Sequence, residues 1–176
     1  MMLKEKAAKI RKEIKSQLGY TAKQVSVRSV HGTELKVTVK DITIDLQQIE
    51  KIASQFEDIH RCEATNEILL GGNTFVNVGY DWQVVHEAKQ ERLAEAEAIM
   101  EAHQHLGVGV GEVVAKSGNR ELVYFPNTTT GSSIDILENV SKEFDGQMHT
   151  LQRWTAHNEW AIAEALVMFE ARYTAA

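Results

Sequence analysis

The chain has 176 residues, 43% hydrophobic and 25% charged, with a formal net charge of −6. That is ordinary globular composition, long enough for one large domain or two small ones. No apolar run approaches the roughly 20 residues that span a bilayer, and the N-terminal MMLKEKAAKIRKEIK lacks the apolar stretch of a secretory signal.

A single cysteine, Cys62, excludes an intramolecular disulfide framework and fits a reducing compartment, so a cytoplasmic location is expected. Charge is distributed unevenly. Residues 1–40 hold ten Lys/Arg against three Asp/Glu, a balance of +7, whereas residues 41–176 hold nine against twenty-two, or −13. Such asymmetry bears on partners rather than on fold.

Leu3, Ala7, Ile10, Ile14 and Leu18 recur at helical spacing, and Gly19 stands where a glycine ends a helix. Val25 and Val27, the turn His31-Gly32-Thr33, and Leu35, Val37 and Val39 alternating with Lys36, Thr38 and Lys40 predict an antiparallel hairpin with one buried face. Asp45 and Gln48 form a capping box, and Leu46, Ile49, Ile52, Ala53 and Phe56 supply the apolar stripe of a second helix. Then comes NEILLGGNTFVNVGYDW, Asn66 to Trp82, where two runs of strand formers flank Gly71-Gly72-Asn73. It reads as a second hairpin, or as one long strand with a glycine bulge. The expectation for residues 1–82 is a small α+β domain: a helix–hairpin–helix–hairpin sandwich, two helices over one sheet face, with a boundary near Asp81.

Residues 83–106 contain neither Gly nor Pro, and their Ala and Glu content predicts one long connecting helix. Glu87, Glu91, Glu95, Glu97 and Glu101 give it an acidic interaction face. Residues 107–176 read as a second α+β unit, a hairpin plus helices. Val108, Val110, Val113 and Val114 lead through Ser117-Gly118-Asn119 into Leu122 to Phe125, and Pro126 opens a loop that runs to Ser133. Ile136, Leu137, Val140 and Phe144 predict a short helix ending at Asp145-Gly146, and Thr150 caps a last helix that reaches Tyr173. Trp154, Trp160, Ile162, Leu166, Val167 and Phe169 spread over more than half of that helix. Leaving them exposed is costly, so a homodimer that buries them is the preferred expectation, with closure in cis by the 83–106 helix as the alternative.

The residue types that carry chemistry do not assemble into a constellation. Gly107-Val108-Gly109-Val110-Gly111 has a helix before it and a strand after it, the reverse of a dinucleotide fingerprint, and reads as a flexible joint. The pairs His103/His105, His60/Cys62 and His149/His157 lack the spacing of a metal ligand set. Ser132-Ser133 with Asp135 resembles a helix cap more than part of a triad. No catalytic, cofactor-binding or metal residue is assigned. Two surfaces stand out instead. Lys4, Arg11 and Lys15 of the first helix, with Arg28, Lys36 and Lys40 of the hairpin, are candidate contacts to nucleic acid or another partner. Asn127, Thr128, Thr129, Thr130 and Gly131 are the alternative site of a small hydrolase or transferase, because functional groups concentrate on polar loops. No base stands beside these hydroxyls in sequence, however, and an ordinary solvated loop is the preferred expectation.

Residues 9–30 (KIRKEIKSQLGYTAKQVSVRSV), the later VTVKD and above all NEILLGGNTFVNVGYD resemble one of the small "large polyvalent protein-associated" domains. Those domains occur in proteins of phages, plasmids and conjugative elements. The resemblance covers residues 9–82. It implies an α+β accessory module without an assigned catalytic site, in a setting where such modules travel with proteins that modify DNA or blunt host defences. With the acidic body, it makes the leading expectation a non-enzymatic, protein-binding accessory factor of a phage or plasmid, an inhibitor of a host nuclease defence such as restriction or CRISPR. Acidic surfaces can occupy nucleic-acid grooves by imitating phosphate charge.

Overall fold

The structure, a computed structural model, describes residues 2–69, 71–139 and 148–174. The chain divides into two compact units, residues 1–84 and 85–176. The described residues form a mixed α/β chain with five α-helices and two separate sheets, of three and four strands.

In the first unit, helix α1 (Leu3–Leu18) precedes strands β1 (Val25–Val30) and β2 (Glu34–Val39), helix α2 (Leu46–Ala53), a 3-10 turn (Ser54–Phe56) and strand β3 (Phe75–Tyr80). β1 and β2 form the expected antiparallel pair, with Val27 opposite Val37. Asp45 caps α2 by accepting the Gln47 N–H at 2.8 Å. Ile10 and Ile14 of α1 and Ile49 and Ile52 of α2 join Val27, Leu35, Val37 and Val39 in one core.

The helix–hairpin–helix–hairpin sandwich is not what forms. Among the described residues β3 pairs not with a hairpin partner but in parallel with β2, Val78 beside Val37, in the order β1-β2-β3. Parallel neighbours need a crossover, and α2 supplies it. The reason lies in the alternation of the strand: Val76, Val78 and Tyr80 sit opposite Leu35, Val37 and Val39, so joining β2 puts all three beside the existing core.

The described residues of this stretch, 58–69 and 71–74, form a two-legged arm rather than a hairpin about the glycines. Asp58 and Thr74 exchange backbone hydrogen bonds of 2.9 and 2.7 Å, Arg61 bridges Ile68, and the chain turns at Cys62 to Glu67. Gly71 and Gly72 lie in the returning leg at φ +90° and +74°, bends that residues with a Cβ adopt at a cost.

The single helix expected over 83–106 is two: α3 (Trp82–Glu91) and α4 (Leu93–His103). They part at Arg92, whose N–H bonds to Lys89 O at 3.0 Å in place of the α-helical acceptor. After the break Leu93, Ala96, Ile99 and Met100 fall at three- and four-residue spacing and pack on the core that α4 shares with α5.

Strands β4 (Glu112–Ser117), β5 (Arg120–Thr128), β6 (Gly131–Asn139) and β7 (Met148–Thr155) make an antiparallel meander in that order, followed by α5 (Glu159–Tyr173). The hairpin plus helices is therefore a four-stranded sheet carrying one helix. The helix expected from Ile136 is the end of β6. Its remaining residues, Val140, Phe144 and Asp145-Gly146, lie outside the described residues. Ile134 and Ile136 face Tyr124 and Leu122 across the ladder, which a period of two satisfies and a helical period does not. The last helix begins nine residues later than Thr150. Asn158, not Thr150, is its cap, accepting the Ala161 N–H at 3.2 Å, and residues 148–155 complete the sheet.

Candidate functional site

The basic residues of the first unit are partly assembled by α1 and β1. Lys4, Arg11 and Lys15 share one helix face by their spacing. Lys4, Arg11, Arg28 and Ser29 line a shallow cleft of about 500 Å³. Arg11 also closes the free edge of β1, its Nη2 donating to Val27 O. Arg28 stands directly opposite Lys36, which in turn stands beside Asn77, so two cations are cross-strand neighbours. Like charges in that position repel, and an anion laid over them relieves the repulsion. Lys40 follows the far end of β2, where its N–H bonds to Gln24 O at 2.8 Å, away from the cleft.

Lys6 was hidden in the lysine-rich run and is the one cation of α1 turned inward. It is 7% exposed, and its Nζ lies 2.8 Å from Thr74 Oγ1 and 3.4 Å from Asp58 Oδ2. The signal was in the periodicity, since position 6 lies four residues before Ile10 on the apolar stripe. Lys6 thus ties the base of the 58–74 arm to α1. Within the arm, the His60 N–H donates to Asn73 Oδ1 at 2.8 Å, and Asn73 Nδ2 donates to Leu69 O at 2.7 Å. These bonds hold Ile68 and Leu69 at 45% and 48% exposure. At the tip, hydrogen bonds from the Thr65 hydroxyl and then from the Thr65 and Ala64 N–H groups hold the Cys62 thiol below its ordinary pKa.

β3 is the other edge of the same sheet. Phe75 N–H bonds to Thr33 O at 2.9 Å and Asp81 N–H to Val39 O at 2.7 Å, so alternate residues turn their backbone toward β2. Val76 and Val78 turn theirs outward, into a groove of about 630 Å³ lined by Glu34, Glu50, Glu57 and Phe75. The Val76 N–H meets Glu57 Oε1 at 3.2 Å.

In the second unit, Glu87, Glu91, Glu95, Glu97 and Glu101 are all exposed but are divided between α3 and α4, and Glu95 pairs with Arg92 at 2.9 Å. The apolar stripe of α5 is covered within the chain. Ile162, Leu166 and Phe169 lie in the core with Leu122, Tyr124, Ile134 and Ile136, and Val167 is also buried. Trp154, which belongs to β7 rather than to the helix, packs on the same core. Trp160 stacks on His86, ring centroids 5.2 Å apart, with Lys89 Nζ 5.7 Å from the indole. The stripe therefore supplies no reason to dimerise.

The polar loop at Pro126–Ser133 is the turn of the β5–β6 hairpin. Thr128 Oγ1 donates to Gly131 O at 2.7 Å within the turn, and Ser132 Oγ donates to Ala156 O at 3.1 Å just beyond β7, so both hydroxyls are engaged by backbone carbonyls. Burial raises the pKa of Tyr124 beneath it, and a bond with the Ser132 side chain partly offsets that. Among the described residues no group of three or more His, Cys, Asp or Glu is placed to hold a metal ion, and no helix is long and apolar enough to cross a membrane. No family model, curated protein or solved structure matches the chain.

Proposed function

We propose that the protein is a non-enzymatic accessory factor that acts in the cytoplasm by binding another protein. The observation that carries this reading is the 58–74 arm, which presents Ile68 and Leu69 to solvent on a frame braced by Asn73 and Lys6. Adjacent aliphatic side chains held outward on an ordered frame are a feature of protein-docking surfaces. The likeness of residues 9–82 to accessory domains of mobile elements supports a phage or plasmid setting, and a component of a host nuclease defence as the partner. The second unit carries seven Lys/Arg against fourteen Asp/Glu, a surplus of acid suited to a partner with a basic nucleic-acid groove. The test is affinity capture from host lysates with wild type and the double variant Ile68→Ser/Leu69→Ser. A partner retained at native stoichiometry by wild type and lost by the variant is expected; equal retention by both removes the arm from the interface.

A second reading has its own observation, the Lys4/Arg11/Arg28 cleft with Lys36 beside Arg28. It predicts direct binding of nucleic acid that weakens steeply with salt, as counterion release requires. Filter binding at low salt with random duplex and single strands checks it. Charge reversal at Lys4 and Arg28 should abolish retention, and no retention of wild type at micromolar protein ends the reading.

A further inference from the structure

The two edges of the three-stranded sheet are treated differently. Arg11 closes the β1 edge through Val27 O, whereas among the described residues no strand lies beside β3 at Val76 and Val78. An unpaired edge is a template for another strand. From the outward backbone of Val76 and Val78 and the carboxylates around it, we propose that the β3 edge binds an extended, basic segment of a partner protein as a fourth strand.

The geometry specifies the occupant. Asp58 already pairs with Thr74, so a new strand can begin only at Val76 and run along Val78. Val76 to Val78 is three residues, about 10 Å of strand, so an extended pentapeptide covers it with one residue to spare at each end. A carbonyl of the incoming strand takes the Val76 N–H from Glu57, whose carboxylate is then free to pair with a cation of the ligand. Successive ligand side chains fall on opposite faces. Those on the helix face pass Val76, Val78 and Glu50, and those on the outer face pass Phe75 and Glu34. Aliphatic residues suit the valines, and Lys or Arg suits the carboxylates on either side. An acidic segment would meet three like charges and be rejected. Nucleic acid is rejected for the same reason, which separates this groove from the Lys4/Arg28 cleft. The surface is also distinct from the Ile68/Leu69 arm, so this proposal stands or falls independently of the docking reading above.

The probe is the peptide Lys-Val-Arg-Val-Lys, acetylated and fluorescein-labelled, titrated against the full chain by anisotropy. Amide shifts are followed in parallel on nitrogen-15-labelled protein. Saturable binding is expected, with the amides of Val76 and Val78 among those that move most. Glu50→Lys/Glu57→Lys should weaken it about tenfold, each reversal replacing an attraction by a repulsion. Because that variant alters the protein, the companion measurement alters only the ligand: N-methylation of alternate peptide nitrogens should abolish binding while preserving its charge. Unchanged affinity for the methylated peptide, shifts confined to Lys4 and Arg28, or no saturation at about 1 mM peptide, the weak limit of specific recognition, would each overturn the proposal.

Discussion

Arg153→Ala should destabilise the second unit by about 3 kcal/mol, although the residue replaced is largely exposed. Arg153 of β7 lies opposite Asp135 of β6, and its Nε sits 2.9 Å from both carboxylate oxygens. The exposure is unequal: the Arg153 side chain is 64% exposed and that of Asp135 is 1%. Asp135 stands beside Val123 on the sheet face opposite that of Leu122, Tyr124, Ile134 and Ile136, and the guanidinium binds both of its carboxylate oxygens there. The same contact raises the pKa of Arg153, through the hydrogen bond first and charge second. Removing the arginine leaves a buried carboxylate without its fork, whereas removing the aspartate leaves a cation already in water. Urea unfolding followed by tryptophan fluorescence, to which Trp154 and Trp160 contribute, measures the effect. Arg153→Lys should recover part of it, since an ammonium neutralises but does not bind bidentately. Asp135→Val combined with Arg153→Val should recover most, because Val123 offers an apolar neighbour. A loss for Arg153→Ala below about 0.5 kcal/mol, the range of ordinary surface substitutions, would show that water replaces the guanidinium.

Where local chemistry decides structure, the sequence was legible. The Leu3–Leu18 stripe ending at Gly19, the Asp45 cap and the β1–β2 alternation each depend on neighbours in the chain, and each corresponds to an element. What it did not show depends on distant partners. Phe75–Tyr80 has the same alternation whether it returns on a hairpin or crosses over to β2; what makes its apolar parity count beside β2 is the core that Leu35, Val37 and Val39 share with α1 and α2, all distant in the chain. Ile136-Leu137 and the residues around Trp154 read as helical because apolar residues there recur at mixed spacing. They become strands because β5 offers Leu122 and Tyr124 at a period of two. The α5 stripe looked too wide for one chain to cover because two strands of the covering sheet had been read as helix. The basic surface was legible as composition, but the division of the first sheet into one basic, closed edge and one acidic, open edge was not. Glu34, Glu50 and Glu57 come from β2, α2 and the segment after the 3-10 turn, and the crossover alone brings them together.

Gly107–Gly111 shows how a composition signal can be assigned the wrong physical role, and it yields the other large expected effect. Two glycine alternations look like a joint that needs freedom, yet the segment is held: the Gly109 N–H bonds to Asn127 O at 2.8 Å and Asn127 Nδ2 to Leu106 O at 2.7 Å. Gly111 then crosses β5 so closely that a Cβ there would stand 2.4 Å from Phe125 Cε1 and 2.7 Å from Val123 Cγ1. Both side chains rise from the same strand face, and Val123, beside Asp135 in the ladder, is 6% exposed, so it has little room to move aside. What the position requires is absent volume, not torsional freedom. Gly111→Ala should therefore cost about 2 kcal/mol, within the range for overpacking a filled site. Gly107→Ala should cost far less, since the nearest atom to its Cβ is Val110 Cγ2 at 3.8 Å, an ordinary contact. The comparison separates the two roles, because a flexible joint would be stiffened alike by either alanine. The rescue is equally specific: Gly111→Ala with Phe125→Leu, which removes the ring edge that the new methyl meets, should regain stability relative to Gly111→Ala alone. Equal midpoints for the two alanine variants in urea would return the segment to the role of a hinge.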